Sequence, residues 1–277
     1  MKKIFMLSFL VFYVFSACCA GAAEVGVLSK ANATEEQFSK LLTNDRLILS
    51  EVFADGIEAS DINIHFYNSI IEMMLSLNRG EIDAVMCPIF FGEYALKHNP
   101  EYTLKGLVIG RVPLALSFGF LEEKADLQKR FNDALTDMND GALSLLLRDY
   151  VTGPKADTPP AVKFEHFDDA ETINIAVTGD LPPIDYIAAD GTPAGFNTAL
   201  LAEIGRRLHV NINPVNVETG ARMSALKSGR VDVAFWIEIL GAIKDGHEVR
   251  QTDVTEGIIY SKPYYGWNHI LFIGKKR

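Results

Sequence analysis

A short motif occurs twice in this 277-residue chain, once in each half. Residues 77–83 (LNRGEID) and 226–232 (LKSGRVD) share the pattern Leu-x-x-Gly-x-(Ile/Val)-Asp, and each copy follows an amphipathic segment and precedes an apolar one. The pattern is typical of a helix that packs its Leu on a core, ends at a left-handed Gly and leads into a buried strand. Two copies in halves of similar size predict two α/β lobes, and a cleft between two lobes is a common place for a small ligand.

The composition is that of a soluble globular protein, and the net charge limits the partners. Hydrophobic residues make up 48% of the chain and charged residues 22%, with a net charge of −10. This charge argues against nucleic acid or an anionic membrane surface as the partner. The six His are scattered without metal-ligand spacing, and neither a Gly-x-Ser-x-Gly motif nor a phosphate-binding loop occurs. We therefore predict no catalytic residues, no metal and no cofactor.

The amino terminus has the pattern of a secretion signal. Lys2 and Lys3 precede an apolar stretch, and small residues follow as far as Ala23, which predicts a signal peptide over residues 1–23 and a periplasmic or extracytoplasmic protein. Residues 20–23 suit an ordinary signal peptidase. Residues 15–18 (FSAC) resemble a lipobox, in which Cys18 would carry a lipid anchor, so both routes stay open. After the ordinary cleavage Cys87 is the single remaining cysteine, which excludes an internal disulfide.

Strand-like and helix-like segments alternate through the rest of the chain, which predicts mostly parallel sheets. Residues 153–172 differ, because they contain three prolines and little periodicity, and we expect an extended linker there. Residues 241–255 are expected to be a polar surface loop. The predicted organisation is a signal peptide (1–23), an α/β region with two closing helices (24–152), the linker (153–172) and a second α/β region (173–277).

The second half resembles the first lobe of the bacterial extracellular solute-binding proteins of family 3, the polar amino-acid receptors of ABC importers. Four segments carry the resemblance in the family's order, residues 179–186 (GDLPPIDY), 190–197 (DGTPAGFN), 226–232 and 260–265 (YSKPYY). The first half resembles the family's second lobe, chiefly through residues 25–28, 67–69, 77–83 and 139–143. The two lobes would then stand in swapped order, as in a circular permutation, with the new chain ends at the hinge.

The resemblance implies a function and two alternatives. The expected fold is α/β, the two-lobed type II periplasmic-binding arrangement with a cleft between the lobes. The expected function is that of a monomeric receptor that binds a small polar or aromatic-bearing solute, amino-acid-like or related, and passes it to an ABC permease in the inner membrane without chemistry. The alternatives are a sensory or scaffold module that has lost its ligand, and a dehydratase-like enzyme that uses Asp180 and Glu238.

The same resemblance, with the strand-end positions, implies the ligand-binding residues. These candidates are Asp180, Tyr186, Trp236, Glu238, Ser29, Lys30, Asn32, Cys87, Pro88 and Arg222. Trp236 is expected to stack on the solute.

Two departures from the family pattern concern the anchors of a free amino acid. The family's carboxylate-binding Arg has no counterpart at its usual spacing after residues 231–236, and Pro88 stands where the family has an ammonium-binding Asp. We therefore expect free α-amino acids to bind weakly. Arg222 would be a replacement anion clamp, although its position at the start of a helix favours the surface.

Overall fold

The computed structural model describes residues 23–28, 62–239, 243–244, 247–248 and 257–276. Fourteen strands and six α-helices alternate in these residues, so the predicted α/β fold class is confirmed. Residues 1–22 of the predicted leader and the candidate residues Ser29, Lys30 and Asn32 lie outside the described residues.

The strands and helices agree with most of the predicted segments and are numbered here in chain order. The strands are β1 (Ala23–Leu28), β2 (Ile62–Tyr67), β3 (Ala84–Pro88), β4 (Tyr102–Leu121), β5 (Thr172–Val177), β6 (Asp180–Leu181), β7 (Asp185–Ile187), β8 (Pro193–Ala194), β9 (Asn211–Asn216), β10 (Val233–Ile239), β11 (Ile243–Lys244), β12 (His247–Glu248), β13 (Ile258–Tyr260) and β14 (Tyr265–Lys275). The helices are α1 (Ile70–Arg79), α2 (Ile89–His98), α3 (Ala125–Asp137), α4 (Ala142–Leu147), α5 (Phe196–Leu208) and α6 (Arg222–Lys227).

Nine strands form one sheet that contains the same pattern twice. The order is β2-β1-β3-β14-β4-β10-β5-β9, and β13 also pairs with β4. Strands β2, β1 and β3 are parallel to one another, and so are β9, β5 and β10. We call the first group with α1 and α2 the amino-terminal lobe, and the second with α5 and α6 the carboxy-terminal lobe. The prediction of two lobes of similar build is thus confirmed.

Two long antiparallel strands, β4 and β14, join the lobes. The first part of β4 pairs with residues 269–275 of β14 inside the amino-terminal lobe, and the later part pairs with β10 in the carboxy-terminal lobe. The register between β4 and β14 shifts between Trp267 and His269, where the strands pass from one lobe to the other. Since both strands are continuous across the boundary, they form the hinge.

Helix α1 shows how the repeated motif produces its local structure. Ser69 caps its amino end, because the Ser69 Oγ accepts a hydrogen bond from the Glu72 N–H at 3.2 Å. Met73 and Leu77 are buried on its core-facing side. Gly80 ends the helix in left-handed conformation with φ of 73°, as predicted, and Gly229 has φ of 70° after α6 in the second copy.

The two helices before the linker pack on the carboxy-terminal lobe. Helices α3 and α4 both contact α5, and Arg207 of α5 forms an ion pair of 3.3 Å with Asp140 between them. Gly141, with φ of 102°, separates the two helices. Residues 24–152 therefore do not fold as a unit apart from residues 173–277.

Two expectations about the periphery are corrected by the structure. Within residues 241–255, expected to be a polar loop, β11 and β12 pair as a short antiparallel ladder. The predicted new ends after the leader do not lie at the hinge. Ala23 begins β1 at the end opposite to Leu28, and Lys275 pairs with Tyr102 at the same outer end of the amino-terminal lobe, since β14 runs on past the hinge. In the described ranges no helix is both long enough and apolar enough to cross a membrane.

Candidate functional site

A cleft with a polar floor lies between the two lobes. The carboxyl ends of the parallel strands β1 and β5 both point to it, which is where open α/β sheets generally bind ligands. The atom-free space in and around it is about 400 Å³, a volume that includes open solvent. Its walls consist of residues from both lobes and from β4, namely Leu28, Ile70, Leu116, Thr178, Asp180, Leu181, Asp185, Asn197, Arg222 and Phe235.

Arg222 is the positive group of the cleft, and it is buried rather than on the surface. Only 8% of the residue is exposed, because α6 packs on β10. The Arg222 Nη1 donates a hydrogen bond to the Phe235 carbonyl oxygen at 2.9 Å, while the buried Nε has no partner among the described residues. Burial lowers the pKa of Arg222, and Asp185 and Asp180 oppose that shift. A guanidinium stays protonated at neutral pH even so, and the acidic groups that act on it are Asp185 and Asp180.

Asp185 is a buried carboxylate that organises the loop after β5. One carboxylate oxygen accepts hydrogen bonds from the Thr178 N–H at 2.8 Å and the Thr178 hydroxyl at 3.2 Å, and the other accepts from the Gly179 N–H at 3.3 Å. Gly179 has φ of 73°, a conformation that permits this tight turn. Burial raises the pKa of Asp185, and the Thr178 N–H and the Arg222 guanidinium oppose the rise.

Asp180 connects the two lobes directly. Its Oδ2 accepts a hydrogen bond of 3.2 Å from the Ile70 N–H, the first residue of α1. The carboxylate thus lies at the positive end of the α1 dipole, and the two residues are 110 positions apart in the sequence. The contact places a group of the carboxy-terminal lobe against the amino-terminal lobe at the mouth of the cleft.

The cleft floor rests on a buried aromatic and amide layer. Asn197, only 2% exposed, accepts a hydrogen bond from the Tyr264 hydroxyl at 3.2 Å. The Tyr264 ring lies 4.7 Å from that of Phe118 on β4. Burial raises the pKa of Tyr264 well above its ordinary value, so its phenol stays neutral. Tyr264 therefore packs beside the hinge strand β4 and holds the floor in place.

The structure brings some of the predicted residues together and separates others. Asp180 and Arg222 line the cleft. Tyr186 is half-buried on β7 and Pro88 precedes α2, and neither is among the residues that line the cleft. Cys87 lies in the core, where its Sγ is 3.6 Å from the Leu271 carbonyl oxygen, and burial raises the pKa of its thiol.

For Trp236 and Glu238 the description covers only the backbone, which pairs with Ser117 and Ala115 of β4. Their roles in binding remain predictions.

Several cleft residues were not among the predicted ones. Asp185 and Asn197 stand inside the segments PPIDY and GFN, which carried the family resemblance, so the segments gave a usable signal. Leu28 and Ile70 are ordinary apolar residues at element ends and Phe235 lies within β10, and the sequence marks none of them as cleft residues. In the part of the chain that the structure describes, no three His, Cys, Asp or Glu side chains cluster as metal ligands would.

The comparisons with known proteins agree with the sequence resemblance over part of the chain. No curated protein matches significantly. One similar solved structure is the zinc-bound ligand-binding component of an ABC-type import system from Staphylococcus aureus, with 9% identity, a TM-score of 0.46, and coverage of 92% of this chain and 66% of that one. A second is the binding protein AgaA with agropinic acid from A. tumefaciens R10, with 11% identity, a TM-score of 0.41, and coverage of 81% and 58%. A third is the aliphatic sulphonate binding protein SsuA from Escherichia coli, with 11% identity, a TM-score of 0.41, and coverage of 92% and 65%.

This chain thus spans 58–66% of the length of those three structures, and at these TM-scores the similarity carries no functional argument. The comparison with protein families gives a more specific result, because one family model matches the segment from β5 to β10. Over residues 173–239 the chain matches the bacterial extracellular solute-binding proteins, family 3.

Proposed function

We propose that this protein is the extracytoplasmic solute-binding receptor of an ABC-type importer and binds a small solute in the cleft between its lobes. The observation that carries the proposal is Arg222, whose buried Nε has no partner in the described residues and which lines the cleft together with Asp180 and Asn197. A buried unpaired donor costs free energy unless a ligand satisfies it. Arg222 also lies inside the segment that matches the family.

The solute is proposed to be a small polar or aromatic-bearing molecule, amino-acid-like or related. Arg222 supplies a cationic contact from α6 that the usual position after β10 lacks. Asp180 and Asp185 are the acidic residues that line the cleft, and the Asp185 carboxylate already accepts hydrogen bonds from Thr178 and Gly179. Trp236 is proposed to stack on the solute from the end of β10.

We also propose that the lobes stand in permuted order relative to the family. The family model matches the carboxy-terminal lobe, and the closing helices α3 and α4, which precede it in the chain, pack on α5 of that same lobe. The amino-terminal lobe has the same strand order around β1 as the carboxy-terminal lobe has around β5. Residues 153–172 would then join the ends that are free in the family's usual order.

The surroundings of the protein follow from this function. A leader over residues 1–23 would export it, with or without a lipid on Cys18, and an ABC permease in the inner membrane would be its partner. It would act as a monomer.

A thermal-shift screen of amino acids, short peptides and organic acids tests the proposal. A receptor is stabilised by the solute that it binds, by RT ln(1 + [L]/Kd), which is about 2.7 kcal/mol at one hundred times Kd. Stabilisation without turnover supports the receptor. Turnover of prephenate-like acids would show that the protein is a dehydratase-like enzyme instead. If no compound stabilises the protein, the result would favour the scaffold module that has lost its ligand.

A further inference from the structure

An amide group in the floor of the cleft has its orientation fixed from below. Asn197, in the first turn of α5, lines the cleft and is 2% exposed. The buried Tyr264 hydroxyl donates to the Asn197 Oδ1 at 3.2 Å, and no other group among the described residues accepts its proton. If the amide were turned round, this hydroxyl would be left without an acceptor, which costs free energy. The Asn197 Oδ1 therefore faces Tyr264, and the Nδ2 group is directed away from it.

The Asn197 Nδ2 group is a donor without a partner in the described part of the chain. There, the side-chain nitrogen and oxygen atoms that are both unpartnered and sealed from solvent are the Ser117 Oγ and the Arg222 Nε. The Asn197 Nδ2 is not one of them, although no described residue accepts a hydrogen bond from it, so it keeps contact with solvent. Because Asn197 is almost wholly buried and lines the cleft, this contact lies at the cleft floor.

The surroundings of the amide favour an uncharged acceptor on the solute. Leu116 and Leu181 are apolar residues of the same cleft, and Asp180 and Asp185 place two carboxylates in it. A donor beside apolar walls is costly to desolvate unless an acceptor replaces the water. A carbonyl-type oxygen does so without bringing a further negative charge near the two carboxylates.

We propose that Asn197 is a specificity-determining residue, which donates a hydrogen bond from its Nδ2 to a neutral carbonyl-type oxygen of the solute, and that Tyr264 is its positioning residue. This inference rests on the proposed receptor function and specifies one polar group of the solute, such as a carboxamide oxygen. Tyr264 does not touch the solute. It acts through the Asn197 Oδ1, because its hydroxyl keeps the donor side of the amide toward the cleft.

Amides and their thioamides are matched probes for this contact. We suggest benzamide with thiobenzamide, nicotinamide with thionicotinamide and 2-pyrrolidinone with pyrrolidine-2-thione, because both members of a pair are neutral and similar in shape, and sulfur is the weaker acceptor. Calorimetry on the full chain is expected to show saturable binding of at least one amide, about three- to tenfold tighter than its thioamide. If no amide binds although another solute of the wider screen does, the inference is overturned and the receptor function stands. If nothing binds, both fall together.

Two asparagine variants assign the preference to Asn197. Asn197→Asp keeps an oxygen that accepts from Tyr264 but removes the N–H donors, so the preference for the amide is expected to disappear. Asn213→Asp is the matched control, because it changes the charge equally and Asn213 is an exposed residue of β9, outside the cleft, that bonds to Asn174. A preference of the wild-type size in a folded Asn197→Asp protein, or its loss in Asn213→Asp, would contradict the contact.

Tyr264→Phe separates positioning from a merely structural role and does not alter Asn197 itself. The variant keeps the aromatic ring, which packs 4.7 Å from that of Phe118, and removes the hydroxyl that orients the amide. A structural role alone would weaken the amide and the thioamide by the same factor. We expect the ratio of their affinities to fall by about two- to fivefold, because the Asn197 amide can then turn its oxygen to the cleft. An unchanged ratio in folded Tyr264→Phe would show that the hydroxyl does not position Asn197.

Discussion

Asp83 and Asp232 make the same pair of backbone contacts, each with the first strand of its own lobe. The Asp83 Oδ2 accepts from the Glu24 N–H at 3.0 Å and the Asp83 N–H donates to the Glu24 carbonyl oxygen at 2.7 Å. The Asp232 Oδ2 accepts from the Asn174 N–H at 3.0 Å and the Asp232 N–H donates to the Asn174 carbonyl oxygen at 2.8 Å. The final Asp of the repeated motif therefore fixes where the following strand enters the sheet.

This contact predicts a graded effect of substitution. Asp232→Ala removes the acceptor of the Asn174 N–H and is expected to lower the free energy of unfolding by about 1–2 kcal/mol. Asp232→Asn keeps an amide oxygen that accepts the same bond, so its loss should be smaller. Urea unfolding with an unchanged m-value measures both. Equal stability of the Ala and Asn variants would show that the carboxylate oxygen is not what holds Asn174.

Gly195 and Gly229 both have positive φ but should respond differently to a methyl group. At Gly229, with φ of 70°, a Cβ would meet nothing within 4 Å, so Gly229→Ala carries only backbone strain, about 1 kcal/mol. At Gly195, with φ of 105°, a Cβ would lie 2.6 Å from the Ile184 carbonyl oxygen. Since that oxygen belongs to the backbone, Gly195→Ala is expected to cost roughly 3 kcal/mol.

The same urea series compares the two glycine variants. Comparable losses for both would contradict the close approach at Ile184.

The ion pairs of Glu203 on α5 are expected to make the stability of the protein depend on pH. Hydrogen bonds from Arg206, and then from Arg207, hold the pKa of Glu203 below its ordinary value. A carboxylate with a lowered folded pKa stabilises the protein above its unfolded pKa of about 4.3, and that stabilisation disappears as the pH falls through the folded pKa. Glu203→Gln should therefore cost roughly 0.5–1 kcal/mol at pH 7 and much less near pH 3.

Urea midpoints at the two pH values test this prediction. Asp133→Asn is the control, since its pair with Lys129 is exposed, with 61% of the Asp133 side chain accessible, and is worth less. A deficit of Glu203→Gln that is the same at both pH values would rule out the carboxylate as its source.

Trp236 tests the stacking role that the sequence predicts at the end of β10. Trp236→Ala is expected to weaken binding of the solute found in the screen by roughly 1–2 kcal/mol, while Trp236→Phe keeps an aromatic face and should lose less. Calorimetry on the two variants measures the difference. If Trp236→Ala leaves the affinity unchanged, the residue belongs to the core and not to the binding surface.

Short sequence motifs predicted those features of the fold, such as helix ends, that depend only on neighbouring residues. The left-handed Gly80 that ends α1 needs only the few residues of the repeated motif, and the helix ends where that motif predicts. The length of β4 could not be predicted in this way. Its first half is a strand because it pairs with β14, about 160 residues later in the chain, and such pairing leaves no pattern in a single sequence.

The candidate site was predictable in its residue types but not in its geometry. Asp180 was found from the family segment, yet its partner is the backbone N–H of Ile70, which any residue could supply. Because Arg222 begins a six-residue helix, the sequence indicated that its side chain would lie on the protein surface. The structure buries it because the Phe235 carbonyl oxygen accepts its hydrogen bond and the carboxylates of Asp185 and Asp180 act on its charge. Those groups come together only when the lobe has folded.

The contribution of Arg222 to solute binding tests the central claim most directly. We suggest titration calorimetry of the solute found in the screen against the wild type, Arg222→Gln, Arg222→Lys and the exposed control Arg230→Gln, with circular dichroism to confirm folding. The account predicts one site in the wild type, a loss of about ten- to a hundredfold in Arg222→Gln, an intermediate loss in Arg222→Lys, and wild-type affinity in Arg230→Gln. Folded Arg222→Gln and Arg222→Lys proteins that bind the solute as tightly as the wild type would contradict it.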